Sequence, residues 1–210
     1  KIIVIDSDVN SSQVSCRIGT NNLQAGIKAA EAALATDDEE LYIGIVNYDV
    51  NSANGQQREL GFRQTVEQDP RVKDITTINV LSTTEDARAG AKEMLLSDSR
   101  INVVVTFNEW TSLGVGWAIR DLNRADRIQV VAFDSNVVSV GMLETGEVDA
   151  LIVQNPYAMG YLGVETAANL MNGQTGGPSV VDTATTIVTR ENMYEPESQK
   201  ILFSFEEEGY

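Results

Sequence analysis

The sequence predicts an α/β fold with doubly wound, mostly parallel sheets. Four short apolar runs each lead to a polar residue: residues 2–5 to Asp6, 103–105 to Asn108, 130–133 to Asp134, and 150–153 to Gln154. Continuous apolar runs separated by helix-length segments are typical of strands buried on both faces of a parallel sheet. Because ligands of such sheets bind outside the carboxyl ends of the strands, we expect these two acids and two amides to meet a small polar molecule.

The strands are predicted from their apolar and β-branched composition and from the turn residues that bound them. They cover residues 2–6, 14–19, 41–46, 74–80, 102–106, 128–133, 149–153 and 184–189.

The segments between most of these strands carry helical signals. Asn21 or Asn22 caps the first helix, in which apolar residues repeat at helical spacing as far as Leu34. The later helices are predicted over 54–68, over about 84–97, after a cap at Asn108, after Asp134 as far as Gly146, and from Asn155 and Pro156 to Gly173. The tail from Glu191 is predicted to pack as an extended strap through Ile201, Leu202, Phe203 and Phe205.

Composition excludes several classes of function. A net charge of −16 without clustered Lys or Arg disfavours a nucleic-acid surface, an anionic membrane and a polyanionic substrate, and favours a neutral ligand. The chain contains no histidine, the commonest general base and metal ligand, and offers no convincing nucleophile–base pair. We therefore predict no enzyme, no cofactor and no metal. Cys16 is the one cysteine and is predicted to be a buried side chain.

Six motifs in sequence order resemble the type I periplasmic sugar-binding proteins, the ribose- and galactose-binding group, whose fold is shared by LacI-type effector domains. They are VIDSD at 4–8, IGTNN at 18–22, RELGF at 58–62, VAFD at 131–134, GEVDA at 146–150 and QNPYAMGYLG at 154–163. The resemblance extends from residue 2 to about residue 190.

The resemblance implies two lobes, the N-terminal one incomplete. Residues 21–154 would form a complete C-terminal lobe, residues 1–20 and 155–188 the remainder of the N-terminal lobe, and residues 189–210 a tail. Because family members begin with further residues and this chain opens on a strand at Lys1, a missing N-terminal segment is expected as a covalent or cleaved partner. Crossings near residues 20–21, 154–155 and 182–183 would act as hinges that close around a ligand.

The resemblance also implies a set of sugar-binding residues. Alignment with the ribose-binding members places ligand contacts at Asp6, Arg58, Asn108, Asp134 and Gln154, and Trp110 is a candidate stacking aromatic. Carboxylates, amides and guanidinium groups suit vicinal hydroxyls, because each buried hydroxyl needs a donor or acceptor. Two departures put ribose itself in doubt: Ser7 stands where some members carry a second arginine, and Thr83 where some place an aromatic residue.

Each candidate also has a purely structural interpretation. Asn108 and Asp134 are possible helix N-caps, Asp6 a turn residue, Gln154 a hinge residue and Arg58 an exposed helical arginine.

The leading hypothesis is an extracytoplasmic solute-binding protein, periplasmic or lipid-anchored. It would capture a sugar or sugar-like polyol by hinge closure and deliver it to the permease of an ABC importer or to a membrane sensor. The alternative is the sugar-responsive effector domain of a LacI-type repressor, which would need a basic helix-turn-helix before residue 1.

Overall fold

The computed structural model describes residues 1–174 and 177–203. Strands and helices alternate through most of the chain. The strands are β1 (Ile2–Ile5), β2 (Val14–Thr20), β3 (Leu41–Tyr48), β4 (Val72–Val80), β5 (Val103–Thr106), β6 (Gln129–Phe133), β7 (Ala150–Val153), β8 (Val180–Thr183) and β9 (Thr186–Thr189). The helices are α1 (Asn22–Leu34), α2 (Ala53–Val66), α3 (Thr84–Ser97), α4 (Glu109–Leu122), α5 (Val137–Thr145), α6 (Pro156–Met171) and α7 (Pro196–Leu202).

The strands form two sheets. The smaller sheet is parallel with the order β1-β2-β8, and the larger has the order β4-β3-β5-β6-β7-β9, in which β9 alone is antiparallel. The described chain passes between the sheets three times: from β2 to α1, from β7 to α6, and from β8 to β9. The α/β class with mostly parallel sheets is therefore confirmed.

Alternate residues of the larger sheet face two separate cores. Val103, Val105 and Phe133 pack with α1 and α2 on one face, while Val104 and Val130 pack with α3, α4 and α5 on the other. Both faces are covered, so the central strands read as continuous apolar runs. In the smaller sheet, Cys16 is buried as predicted, together with Ile18 and Met159.

The prediction was wrong at the chain's end. Residues 186–188 were assigned to the N-terminal lobe, but β9 pairs with β7 in the larger sheet. The preceding strand β8 was missed because its two valines lie at an exposed or partly exposed edge, a weak apolar signal. The tail contains the helix α7 rather than only an extended strap; Pro196 in its first turn and Lys200 in its last are helix-terminus signals that the apolar residues obscured. Phe205 lies outside the described residues.

Candidate functional site

Three of the predicted site residues follow strands and line one cavity. Asp6 follows β1, Asp134 follows β6 and Gln154 follows β7, and all three border a cavity of about 390 Å³. Both aspartates have left-handed backbone conformations, with φ of 63° at Asp6 and 67° at Asp134. Asp tolerates this region better than most residues, so the backbone turns as soon as each strand ends. The carboxylates consequently lie at the rim where the sheets meet.

Arg58 lies behind this rim, fully enclosed. Its side chain on α2 is only 2% exposed, and its guanidinium donates through Nε to Asn22 Oδ1 at 2.8 Å, through Nη1 to the Phe107 carbonyl at 2.6 Å and through Nη2 to Gln154 Oε1 at 2.9 Å. Its Cζ also stands 4.8 Å from the centre of the Phe133 ring. The expectation of an unremarkable exposed arginine is thus excluded, because every contact is directed into the protein.

Two glycines let Arg58 reach that position. A Cβ on Gly26 of α1 would lie 2.0 Å from the Arg58 carbonyl oxygen, and a Cβ on Gly61 of α2 would lie 2.1 Å from the Leu23 carbonyl oxygen. Such separations are far below van der Waals contact, so α1 and α2 approach this closely only because neither position has a side chain. The close packing of α1 and α2 therefore determines how near Arg58 lies to the carboxyl ends of the strands.

Gln154 connects the guanidinium with a carboxylate and with the first crossing between the sheets. Its Oε1 accepts from Arg58 and, at 2.7 Å, from Thr20 Oγ1, while its Nε2 donates to Asp134 Oδ1. Thr20 ends β2 in the smaller sheet, is 2% exposed and immediately precedes the α1 cap Asn21. One partly buried amide thus connects both sheets with the candidate site.

Burial raises the pKa of the Asp134 carboxyl above its ordinary value. The Arg58 guanidinium and hydrogen bonds from Gln154 and the Glu109 backbone lower that pKa, while the Glu109 carboxylate raises it. Asp134 is partly exposed beside the cavity, so a ligand hydroxyl could donate to its carboxyl and replace hydrogen bonds that partial burial removes.

Asn108 and Trp110 do not line the cavity. Asn108 caps α4 by accepting from Thr111 N at 3.0 Å and donates to Ser82 Oγ at 2.6 Å, and Trp110 is 49% exposed in the first turn of α4. The cap of α5 is Asn136 rather than Asp134. Asn108 therefore has a structural role, and its ligand contact stays a prediction, as does that of Trp110.

Glu109 is a cavity residue that sequence reasoning missed. It lines the cavity beside Asp134, and its Oε1 accepts from Asn136 Nδ2 at 2.6 Å. The sequence did contain a signal for Glu109: it directly follows Asn108, a predicted site residue at the end of a predicted strand. Thr20 and Asn22 were also missed as partners of the network; both lie in the IGTNN motif at the first crossing.

Apart from Ser135, which follows Asp134 in the chain, the rest of the cavity is aliphatic. Its apolar lining comes from the strand ends, from α6 and from α7, namely Ile5, Val153, Pro156, Met159, Ile201 and Leu202. One cavity therefore offers hydrogen-bonding groups and aliphatic surface together, the combination that binds small organic ligands.

A larger concavity, of about 890 Å³, opens at the opposite end of the larger sheet, where Asn102, Gln129 and Ala150 begin or precede their strands. Ligands of open parallel sheets bind at carboxyl rather than amino ends of strands, so the smaller cavity is the better candidate. Over residues 1–174 and 177–203, no cluster of three His, Cys, Asp or Glu side chains suits a metal ion. No helix in the same part of the chain has the length and apolarity to cross a membrane.

Comparison with known proteins relates this architecture to solute-binding proteins. The model of the periplasmic binding protein domain matches residues 1–175. The chain is 28% identical over 150 residues to the D-ribose/D-allose-binding protein of Pseudomonas aeruginosa, covering 70% of this chain and 47% of that protein. It is 25% identical over 180 residues to the ribose import binding protein RbsB of Haemophilus influenzae, covering 82% of this chain and 58% of that protein.

A solved structure matches the whole architecture. The crystal structure of a carbohydrate transporter solute binding protein from Agrobacterium radiobacter, in complex with D-arabinose, superposes with a TM-score of 0.90 at 29% identity. The match covers 95% of this chain and 70% of that one. This chain spans about half the length of the curated relatives it matches.

Proposed function

The chain belongs to the periplasmic binding protein domain family, and we propose that it forms the ligand-binding part of an extracytoplasmic protein that captures a sugar or sugar-like polyol. The observation that carries this proposal is the hydrogen-bonded network of buried Arg58 with the partly exposed Gln154 and Asp134, beside a cavity at the carboxyl ends of the strands. A vicinal diol is both donor and acceptor, and this site presents the carboxylates of Asp134 and Glu109, each held by an amide donor.

The sugar class is supported by the relatives. The two curated proteins carry ribose, or ribose and allose, in their names, and the superposed structure contains D-arabinose. Each of these ligands is a small neutral polyol. The net charge of −16 agrees with a neutral ligand, because a strongly acidic protein repels an anionic one.

We propose that binding proceeds by closure of two lobes about the three crossings. One lobe is built on the smaller sheet with α6, and the other on the larger sheet with β9. Thr20 and Gln154 stand at two of the crossings and hydrogen-bond each other. Asn21 Nδ2 donates to Asp182 Oδ2 at 3.0 Å, which links the first crossing to the strand before the third. The site and the crossings thus share residues, which supports hinge closure around a ligand.

We assign the protein to transport rather than to gene regulation. The named relatives serve solute binding and import, which favours delivery to the permease of an ABC importer over the effector domain of a repressor. A membrane sensor that recognises the same closed, ligand-bound state is the second candidate partner.

The test is a calorimetric titration of the full-length protein with D-ribose, D-allose and D-arabinose, repeated on Asp134→Asn. Asparagine tolerates the positive φ at this position and can still accept from Gln154, so the fold is preserved while the charged acceptor is lost. Removing a hydrogen bond to a charged group costs about 1.5–3 kcal/mol, so affinity should fall roughly ten- to hundredfold.

Asp126→Asn is the matched control, because Asp126 is an exposed aspartate after α4, outside the candidate site. Its affinity should equal that of the wild-type protein. Equal affinity in Asp134→Asn and Asp126→Asn would show that the ligand does not use this cavity, and no binding to any of the sugars would contradict the proposed function.

A further inference from the structure

The aliphatic part of the candidate cavity includes the C-terminal helix. Ile201 and Leu202 of α7 line the cavity together with Pro156 and Met159 of α6. The hydrogen-bonding side chains of the cavity come instead from the residues that follow strands and from the start of α4, namely Asp6, Glu109, Asp134, Ser135 and Gln154. A ligand in this cavity therefore meets hydrocarbon from α6 and α7, to which Ile5 and Val153 add aliphatic surface beside the hydrogen-bonding groups.

The α7 surface is held in place by its own packing. Leu202 is 7% exposed and belongs to the same buried cluster as Val153 and Met193, and Ile201 packs against that cluster. Gln199 Nε2 donates to the Met193 carbonyl at 2.6 Å, which fixes the helix to the segment before it. Met159 is likewise buried, against Cys16 and Ile18. The aliphatic surface is consequently a fixed wall of the cavity.

We propose that this wall selects a deoxysugar, a ring that carries a methyl group where an ordinary hexose carries a hydroxymethyl group. The inference rests on the proposed sugar-binding function. A hydroxyl pressed against Ile201, Leu202, Pro156 and Met159 has no side-chain partner among them and loses its hydrogen bonds to water, whereas a methyl group gains burial there.

The size of the preference follows from the chemistry of apolar pockets. Such pockets discriminate against an added hydroxyl by about a hundredfold at most. We expect a 6-deoxyhexose to bind 10- to 100-fold more tightly than the hexose that differs only in this hydroxyl. The ring hydroxyls are the same within such a pair, so the comparison isolates the aliphatic wall from the carboxylates.

The experiment is a titration of the full-length protein with two matched pairs, D-fucose against D-galactose and 6-deoxy-D-glucose against D-glucose. Tighter binding of a deoxy member supports the inference. A hexose that binds as tightly as its deoxy partner, or more tightly, overturns it while the proposed function stands. If no sugar of any kind binds, the proposed function fails and the inference with it.

Two variants test whether α7 is the source of the preference. Ile201→Thr and Ile201→Val remove nearly the same volume, but only threonine adds a hydroxyl that can pair with the ligand. The deoxy preference should shrink several-fold in Ile201→Thr and persist in Ile201→Val. Equal preferences in the two variants would show that α7 does not face the ligand and would refute its role in selection. Thermal unfolding of both variants verifies that each is folded.

Discussion

Replacing Arg58 with methionine is expected to lower the free energy of unfolding by about 3–5 kcal/mol, because buried acceptors lose the donor that satisfies them. Methionine fills most of the same volume and keeps contact with the Phe133 ring, so the change removes chiefly the donors. Two buried acceptors, Asn22 Oδ1 and the Phe107 carbonyl, then lose the hydrogen bond from Arg58. At about 1–3 kcal/mol for each unsatisfied group, these two alone account for most of the expected loss. Gln154 Oε1 is affected less, because Thr20 still donates to it.

The assay is urea unfolding of the full-length protein followed by circular dichroism, with Arg88→Met as the matched control. Arg88 pairs with Asp121 at 2.6 Å, but its side chain is 45% exposed and Lys92 also contacts that carboxylate. Exposed pairs contribute about 0–1 kcal/mol, so the control should lose no more than that. Arg58→Lys should fall between the two, because a compact ammonium cannot reach three acceptors in different directions. A loss in Arg58→Met no larger than in Arg88→Met would refute the view that this network stabilises the strand ends.

Two further predictions concern helix packing and pH. Gly26→Ala should destabilise the protein by about 1–3 kcal/mol in the same assay, because the added Cβ would lie 2.0 Å from the Arg58 carbonyl oxygen. The control Gly141→Ala, whose Cβ would have no atom within 4 Å, should be neutral or gain about 0.5–1 kcal/mol. Equal effects of the two substitutions would contradict the close approach of α1 and α2. The pKa of Asp98 is lowered to about 2 by Arg100, so its stabilising contribution is present above the unfolded value of about 3.9 and is lost as pH falls toward 2. The raised pKa of Asp134 acts in the opposite direction: its contribution is largest below the unfolded value and is lost as pH rises through the folded one. The measurement is the unfolding midpoint from pH 2 to pH 8. The stability advantage of the wild-type protein over Asp98→Asn should vanish toward pH 2, and the stability of Asp134→Asn relative to the wild-type protein should increase above pH 4. A difference that stays constant with pH in either comparison would count against the assigned cause.

The sequence was sufficient for the central part of the fold because burial on both faces leaves a continuous apolar run. Residues 103–105 and 130–133 were recognisable as strands on this ground, and the structure buries every one of them. The same logic failed for β8, which lies at a sheet edge with little apolar surface to bury. It also failed for α7, whose apolar residues were taken for an extended tail although Pro196 marks a helix start.

For the candidate site, too, the positions that follow from chain topology could be predicted from the sequence, and those that depend on tertiary packing could not. Asp6, Asp134 and Gln154 line one cavity because each follows a strand, and that could be predicted without knowing which side chain faces which. Arg58 depended on the family resemblance, since its burial results from the contact of Gly26 and Gly61 with the partner helix, a relation between distant segments. Ile201 and Leu202 had no local signal of a cavity position, because only the tertiary path of the tail brings them there.

The network also explains why the predicted site and the predicted hinges coincide. Gln154 must hold Asp134 in one position, yet its own backbone lies where the chain leaves the larger sheet for the smaller one. Its Oε1 accepts from Arg58, whose helix packs on the larger sheet, and from Thr20 at the end of the smaller sheet. Any rotation at this crossing must therefore change the Thr20 bond, the Arg58 bond or the position of Asp134. A ligand that bonds to Asp134 would restrain the same amide, and the proposed binding would thereby be coupled to the angle between the sheets through one side chain.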